Sequence, residues 1–493
     1  MLKHHTITQA QHDEAVATPV TPVITEPSTG CQTAADGAAY FCDYVTWIVK
    51  NDPTFGATAD ERWSNFKTGG FQIYTTLNPQ LQANAHETMT EYIPASSDEL
   101  DLGSTIVTVE PGTGRILAMA QNKNYVAGDT TDPGSTSLNY NTDQGYGGST
   151  GFQVGSTYKV FTLAEWLKQG HTLSERVNGN PQTFKRANFT NTCADVSGPD
   201  YSPSNDSGER PGTISVQTAL TDSVNNAFFA MAQKLDLCQI RNDAQALGVH
   251  RADGAELGSD LADVIGTQTI APLTMAAAYA GIAANGIYCK PIAIDRIVDA
   301  TGAQLQPPQA GCTQALDPKI AATLAYAMKG PIQSGTATAS NPYDDIEHIG
   351  KTGTTDNEKD TWMIGASTKA ATAVWVGNVS GDVSMTDVET NGYSGYSVRH
   401  RIWKSVMTAN DEVLPGAADF PDPDNTLVYG SGSSSGSDSG SATNTPTPTP
   451  APSIQPTPTG VAPTPDPTVA PPAGDNGTGT GIVPGIGNGN GGN

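Results

Sequence analysis

The sequence predicts an α+β fold, and three features point to it. Strand-like runs stand near both ends of the chain's ordered part, at 105–109, 115–120, 362–366 and 372–377. Helical periodicity fills the interval, so the sheet must join segments distant in sequence. The apolar deficit (37% hydrophobic overall) is concentrated at the C-terminus, leaving about 430 residues able to build one large core. No internal repeat is present.

Residues 1–68 read as a junction. Thr8 is placed to cap a short helix to Ala17, and a Pro/Thr linker follows over 18–30. Tyr40, Phe41, Tyr44, Val45, Ile48 and Val49 share one face of a helix over 38–50, which Asp52-Pro53 ends. Order begins in earnest at Gly69-Gly70, opening a domain expected over 69–428. Residues 71–77 are strand-like, and Asn78-Pro79 combines an N-cap with Pro at the first helical position. Residues 105–109 and 115–120 flank Pro111-Gly112-Thr113-Gly114 as a hairpin. Helices are expected at 158–168, 216–235, 272–284 and 318–328, before the closing strands. Residues 429–493 read as a disordered tail. From Ser431 onward it has no aromatic residue, Lys or Arg, and cannot bury enough apolar surface to offset its ordering entropy.

The charge balance is 25 Lys+Arg against 50 Asp+Glu, a formal −25. Without a dense basic cluster, nucleic acid is excluded as a partner, and so is adhesion to anionic lipid through a polybasic face. No window approaches a membrane span, and Met1-Leu2-Lys3-His4-His5 does not open a signal peptide. The six cysteines fall into neighbouring couples, Cys31 with Cys42, Cys193 with Cys238 and Cys289 with Cys312. Local pairing is expected because short loops close often, although many other connectivities are open. An even count without zinc spacing suggests an oxidising compartment, and neither a metal nor another cofactor is expected. Export without an export signal is reconciled if the chain lacks its N-terminal part.

Three short motifs can carry chemistry. Ser156-Thr157-Tyr158-Lys159 stands where Gly155 ends a polar loop and a helix begins. Ser and Lys three apart share a face there, so a desolvated amine could take the hydroxyl proton. The free N–H groups of the first turn favour a developing oxyanion. Ser223-Val224-Asn225 interrupts the helical pattern with a polar turn. Lys351-Thr352-Gly353-Thr354 joins a cation and hydroxyls suited to a carboxylate with a glycine permitting close backbone approach. Each alone has a bland reading, as a capped helix with a surface lysine, a polar helical turn or an exposed edge strand.

In this order, S-x-x-K, S-x-N and K-T-G are the motif set of penicillin-recognising serine enzymes. The chain resembles the transpeptidase half of class A penicillin-binding proteins, the actinobacterial type in particular, over residues 8–410. Residues 70–79, 109–114 and Asp360-Thr361-Trp362 look like family segments. The paired cysteines and Pro-rich tail are similar to actinobacterial members, whereas Val154 stands where the family often has Pro. The resemblance implies a mainly antiparallel five-stranded sheet flanked by helices, with an all-helical lobe and the site between them. It implies Ser156 as acylated nucleophile and Lys159 as its base. Ser223 and Asn225 would relay protons and hold the substrate amide. Lys351, Thr352, Gly353 and Thr354 would form the carboxylate seat, and the N–H groups of Ser156 and Thr354 the oxyanion hole.

The expected activity is D,D-transpeptidation of peptidoglycan stem peptides ending in D-Ala-D-Ala, on the extracytoplasmic face of the membrane, with β-lactams as covalent inhibitors. Other cell-wall synthesis and division proteins are open as partners, and membrane attachment would come only through a missing N-terminal anchor. The alternatives are a D,D-carboxypeptidase, a β-lactamase, or a catalytically dead binding module. No segment matches the deacylating Glu loop of class A β-lactamases. No Glu-Asp dipeptide occurs, so glycan polymerisation is not expected. Gly147-Gly148-Ser149-Thr150-Gly151 matches G-x-S-x-G but follows a polar stretch rather than a buried strand, and the eight histidines form no catalytic pattern.

Overall fold

The computed structural model describes residues 1–19 and 30–430. Most of the expected linker and the tail from 431 lie outside the described residues. Helix α1 (Gln9–Ala17) begins with a capping box between Thr8 and Gln11. Helix α2 (Ala39–Asn51) buries the predicted apolar face and stops where Asp52 accepts from Thr54 N at 2.9 Å. Phe41, Tyr44, Val45, Ile48 and Val49 join a core shared with the sheet. Helix α3 (Ala59–Thr68) was not expected, because Trp63 and Phe66 are its only large apolar residues. Its Thr58–Glu61 capping box was the available signal.

Strand β1 (Gln72–Thr75) precedes α4 (Pro79–Tyr92), which Asn78 caps by accepting from Gln80 and Leu81 N. The hairpin is β2 (Leu102–Val109) with β3 (Ile116–Gln121). A 3₁₀ turn over Gly155–Tyr158 leads into α5 (Lys159–Lys168). The single helix expected over 216–235 is two, α6 (Val216–Thr221) and α7 (Asn225–Ala232), because Ser223 takes a left-handed φ of 58° between them. Helices α8 (Leu237–Ala246) and α9 (Pro272–Ala283) follow, every residue of α9 being buried. Strand β4 (Ile294–Val298) pairs with β1. Helix α10 (Pro318–Ser334) runs past its predicted end, with Pro331 in its last turn. The closing elements are β5 (Ile349–Thr354), β6 (Asp360–Ala366), β7 (Ala371–Asn378), α11 (Val398–Val413) and α12 (Asn425–Tyr429).

The main sheet is antiparallel throughout, in the order β5-β6-β7-β2-β3. Trp375 of β7 faces Thr105 of β2, and that pairing closes the sheet across most of the chain. One face packs on α9 and the other on α4 and α11, which gives two separate hydrophobic cores. Helix α10 lies along β5, and α5 packs with α8, α7 and α10 to form the helical lobe. The arrangement places K-T-G on the edge strand facing that lobe. The three expected disulfides, Cys31–Cys42, Cys193–Cys238 and Cys289–Cys312, are formed.

Candidate active site

The turn bearing Ser156 is pressed against the end of β5. Gly155 has a left-handed φ of 53°, and a Cβ there would lie 2.4 Å from the Thr354 carbonyl oxygen. A Cβ on Gly353 would meet the Val154 carbonyl oxygen at 2.5 Å. Both positions exclude a side chain, and their contact brings the backbone of Ser156 beside that of Thr354. Gly155 N donates to Gly266 O at 2.9 Å, and Tyr279 Oη of α9 donates to Thr157 O at 2.9 Å, fixing the turn from below. Ser156 is half-buried and its hydroxyl makes no hydrogen bond to protein.

Lys159 is fully buried, so the reading of a capped helix with a surface lysine fails. Its Nζ donates to Asn225 Oδ1 at 2.5 Å, Ser223 O at 2.6 Å and Ser223 Oγ at 3.3 Å. From the other side Lys351 Nζ donates to Ser223 Oγ at 2.7 Å and to Thr352 O at 3.0 Å. One hydroxyl therefore joins two buried ammonium positions contributed by different motifs. Burial, and then the charge of Lys351, hold Lys159 well below the ordinary lysine range, while Asp206 opposes the shift. Lys351 is pushed down to about 7, first by burial and then by Arg399. Asp206 is exposed, and among the described residues neither lysine forms an ion pair with a carboxylate. A lysine stripped of water without a counter-ion is readily neutral.

The eight predicted residues are thus gathered where α5, the α6–α7 break and β5 meet. Two details depart from the expected roles. Asn225 Nδ2, expected to hold the substrate amide, donates to Ser204 O at 2.9 Å, and Ser156 Oγ is not bonded to Lys159. The sequence reading missed Thr336, whose Oγ1 lies 2.7 Å from Thr352 Oγ1, and buried Arg399 beside Lys351. Nothing local marks either. Asp360-Thr361-Trp362 is structural: Trp362 Nε1 donates to Gln153 O at 2.8 Å, and Asp360 accepts from Trp375 Nε1 at 2.9 Å. Ser149 has no strand before it, only a 3₁₀ turn over Gln144–Tyr146. Buried His348 bonds Asp411 through Nε2, and buried His400 bonds Ser340 through Nδ1.

Residues 104–408 match the penicillin binding protein transpeptidase domain, more than half of the chain. The chain belongs to that family. Penicillin-binding protein 1A of Mycobacterium tuberculosis is 28% identical over 386 residues, covering 74% of this chain and 42% of that protein. Penicillin-binding protein 2D of Bacillus subtilis is 27% identical, covering 87% of this chain and 56% of its own length. The chain therefore spans about half or less of these relatives. Among solved structures, PonA1 from Mycobacterium tuberculosis in complex with penicillin V superposes with a TM-score of 0.59 at 26% identity, covering 73% of this chain and 91% of that one. The fold is that of the penicillin-binding transpeptidases. Among the described residues no helix is long and apolar enough to cross a membrane.

Proposed function

We propose that the chain catalyses D,D-transpeptidation of peptidoglycan stem peptides through an acyl-enzyme on Ser156. The observation that carries this is Lys159, buried, without a carboxylate partner and one turn from Ser156. An ammonium has three N–H donors, and Lys159 has three acceptors. The neutral amine keeps the two short bonds, to Asn225 and Ser223 O, and gives up the long one to Ser223 Oγ. Its lone pair is then available to the Ser156 proton.

Ser156 Oγ attacks the carbonyl carbon between the two D-Ala residues as its proton passes to Lys159. The oxyanion forms against the N–H groups of Ser156 and Thr354, which the Gly155–Gly353 contact brings close. The D-Ala carboxylate sits on Lys351, Thr352 and Thr354. Ser223, bonded to both lysines, carries the proton to the departing amine, and an amine of a second stem takes the acyl group. A β-lactam, imitating the terminal dipeptide, would stop after acylation. We assign this chemistry to residues 69–428, with 1–68 as junction and 429–493 as tail, acting on the extracytoplasmic side of the membrane.

Intact-protein mass spectrometry after penicillin exposure tests the reading. One adduct on Ser156 is expected, and a site on Ser149 or no adduct would refute it. Release and transfer of D-Ala, assayed with and without an acceptor amine, then distinguish transpeptidase from carboxypeptidase.

A further inference from the structure

The first turns of α11 collect Arg399, His400, Arg401 and Lys404 at the helix end where the dipole already places positive charge. In a chain with twice as many acids as bases, this clustering runs against composition. Among the described residues Arg401 and Lys404 make no ion pair and no side-chain hydrogen bond. Instead Arg401 stands 5.0 Å over the Tyr393 ring and Lys404 4.9 Å over the Tyr343 ring. The tyrosines hold the cations in place without neutralising them. Both face a cavity of about 560 Å³ that Tyr92, Ser397, His400 and Thr408 also line, and among the described residues no carboxylate lines it.

His400 supplies a second, independent feature. It is more than nine-tenths buried, its Nδ1 lies 2.7 Å from Ser340 Oγ, and its Nε2 has no protein partner. Burial, and then Arg399, push its pKa down to about 3, so the ring is neutral in the working range. In the tautomer in which Ser340 donates to Nδ1, Nε2 carries the ring proton and is a donor on the cavity wall. Two cations without an ion pair, the Nε2 of His400 and the Ser397 hydroxyl make a donor set with no acidic member among the described residues, while the Thr408 hydroxyl donates to Lys404 O at 2.9 Å.

We propose that this cavity binds a phosphate group. Arg401 and Lys404 hold its charge, and His400 and the Ser397 hydroxyl hold its remaining oxygens. The cavity leaves room for the phosphate to be carried on a larger molecule. The site uses none of the residues assigned to acylation.

Isothermal titration of the whole chain with inorganic phosphate, glycerol 3-phosphate, a glycerophosphodiester and acetate tests this. Saturable binding of one phosphate per chain is expected, tighter for the organic phosphates than for the bare ion. The order of monoester and diester tells which the site takes. Arg401→Gln and Lys404→Gln should each weaken binding about tenfold, while the penicillin acylation rate, which confirms folding, stays unchanged. No saturable binding, equal binding of acetate, or binding unaltered in the double variant would overturn the proposal.

Discussion

Helix α5 carries a lysine at each end, and the two meet opposite electrostatic fates. Lys159 is surrounded by a hydroxyl, an amide oxygen and a backbone carbonyl, and burial holds its pKa down. Lys168, a little over two turns on, reaches Asp243 and Glu165. Burial opposes its charge too, yet the two carboxylates outweigh it and leave its pKa raised. Lys159 is fully buried, whereas Lys168 is partly exposed beside two buried carboxylates. Neutral acceptors solvate an ammonium without compensating its charge, whereas carboxylates compensate it. One lysine is thereby held toward its neutral form and the other toward its charged form.

The sharpest way to break this comparison is to remove Ser156, the nucleophile we propose that Lys159 serves. Ser156→Ala should abolish penicillin labelling while far-UV circular dichroism stays native. Lys159→Ala should slow acylation by about 10²–10⁴-fold, the usual worth of a general base, measured as the second-order rate of labelling. Loss of less than about threefold would show that the proton goes elsewhere.

A pH profile sharpens the contrast inside the site. Lys159 must be neutral and Lys351 charged, so acylation should fall in acid as Lys159 gains its proton. It should fall again above about 7 as Lys351 loses its own. Lys351→Arg keeps the charge and should move only the alkaline limb upward. An unmoved limb would assign it to another group.

At the far end of α5 the effect is one of stability. Lys168→Met leaves Asp243 and Glu165 buried together, costing about 1–3 kcal/mol, below the value for a fully enclosed pair because Lys168 is partly exposed. Asp243 is already pushed up to about 7, chiefly by burial. A carboxyl with a raised folded pKa favours the fold when protonated, and that advantage fades as pH rises through the raised value. The variant's loss in thermal midpoint should be greatest above neutrality and shrink toward pH 4. The smallest effect belongs to a region remote from both lysines. Cys31→Ser with Cys42→Ser opens an 11-residue separation beside α2 and should lower the thermal midpoint without changing the acylation rate.

Local physics made much of this molecule legible. Thr8, Asn78 and Asp52 cap or stop helices through their immediate neighbours, and the predicted face of α2 is the buried one. The hairpin of β2 and β3 turns at its Pro/Gly segment. Where apolar periodicity is sparse, as in α3, or where one φ turns positive, as at Ser223, pattern alone misplaced the boundary.

The sequence by itself determined which side chains the proposed chemistry uses, because S-x-x-K on a helix start and K-T-G on a strand are each set by spacing of three or four residues. It also placed the cysteine couples close enough to join. Only the tertiary structure decided that Lys159 and Lys351 share the Ser223 hydroxyl, that Gly155 abuts Thr354, and that Arg399 stands over the charge balance of Lys351. These relations span 64 and 128 residues for the two lysine contacts. Caps and periodicities act over one or two turns. Contacts at such separations exist only after the sheet has paired and both cores have closed, and burial, which sets each lysine's proton affinity, is a property of that packing.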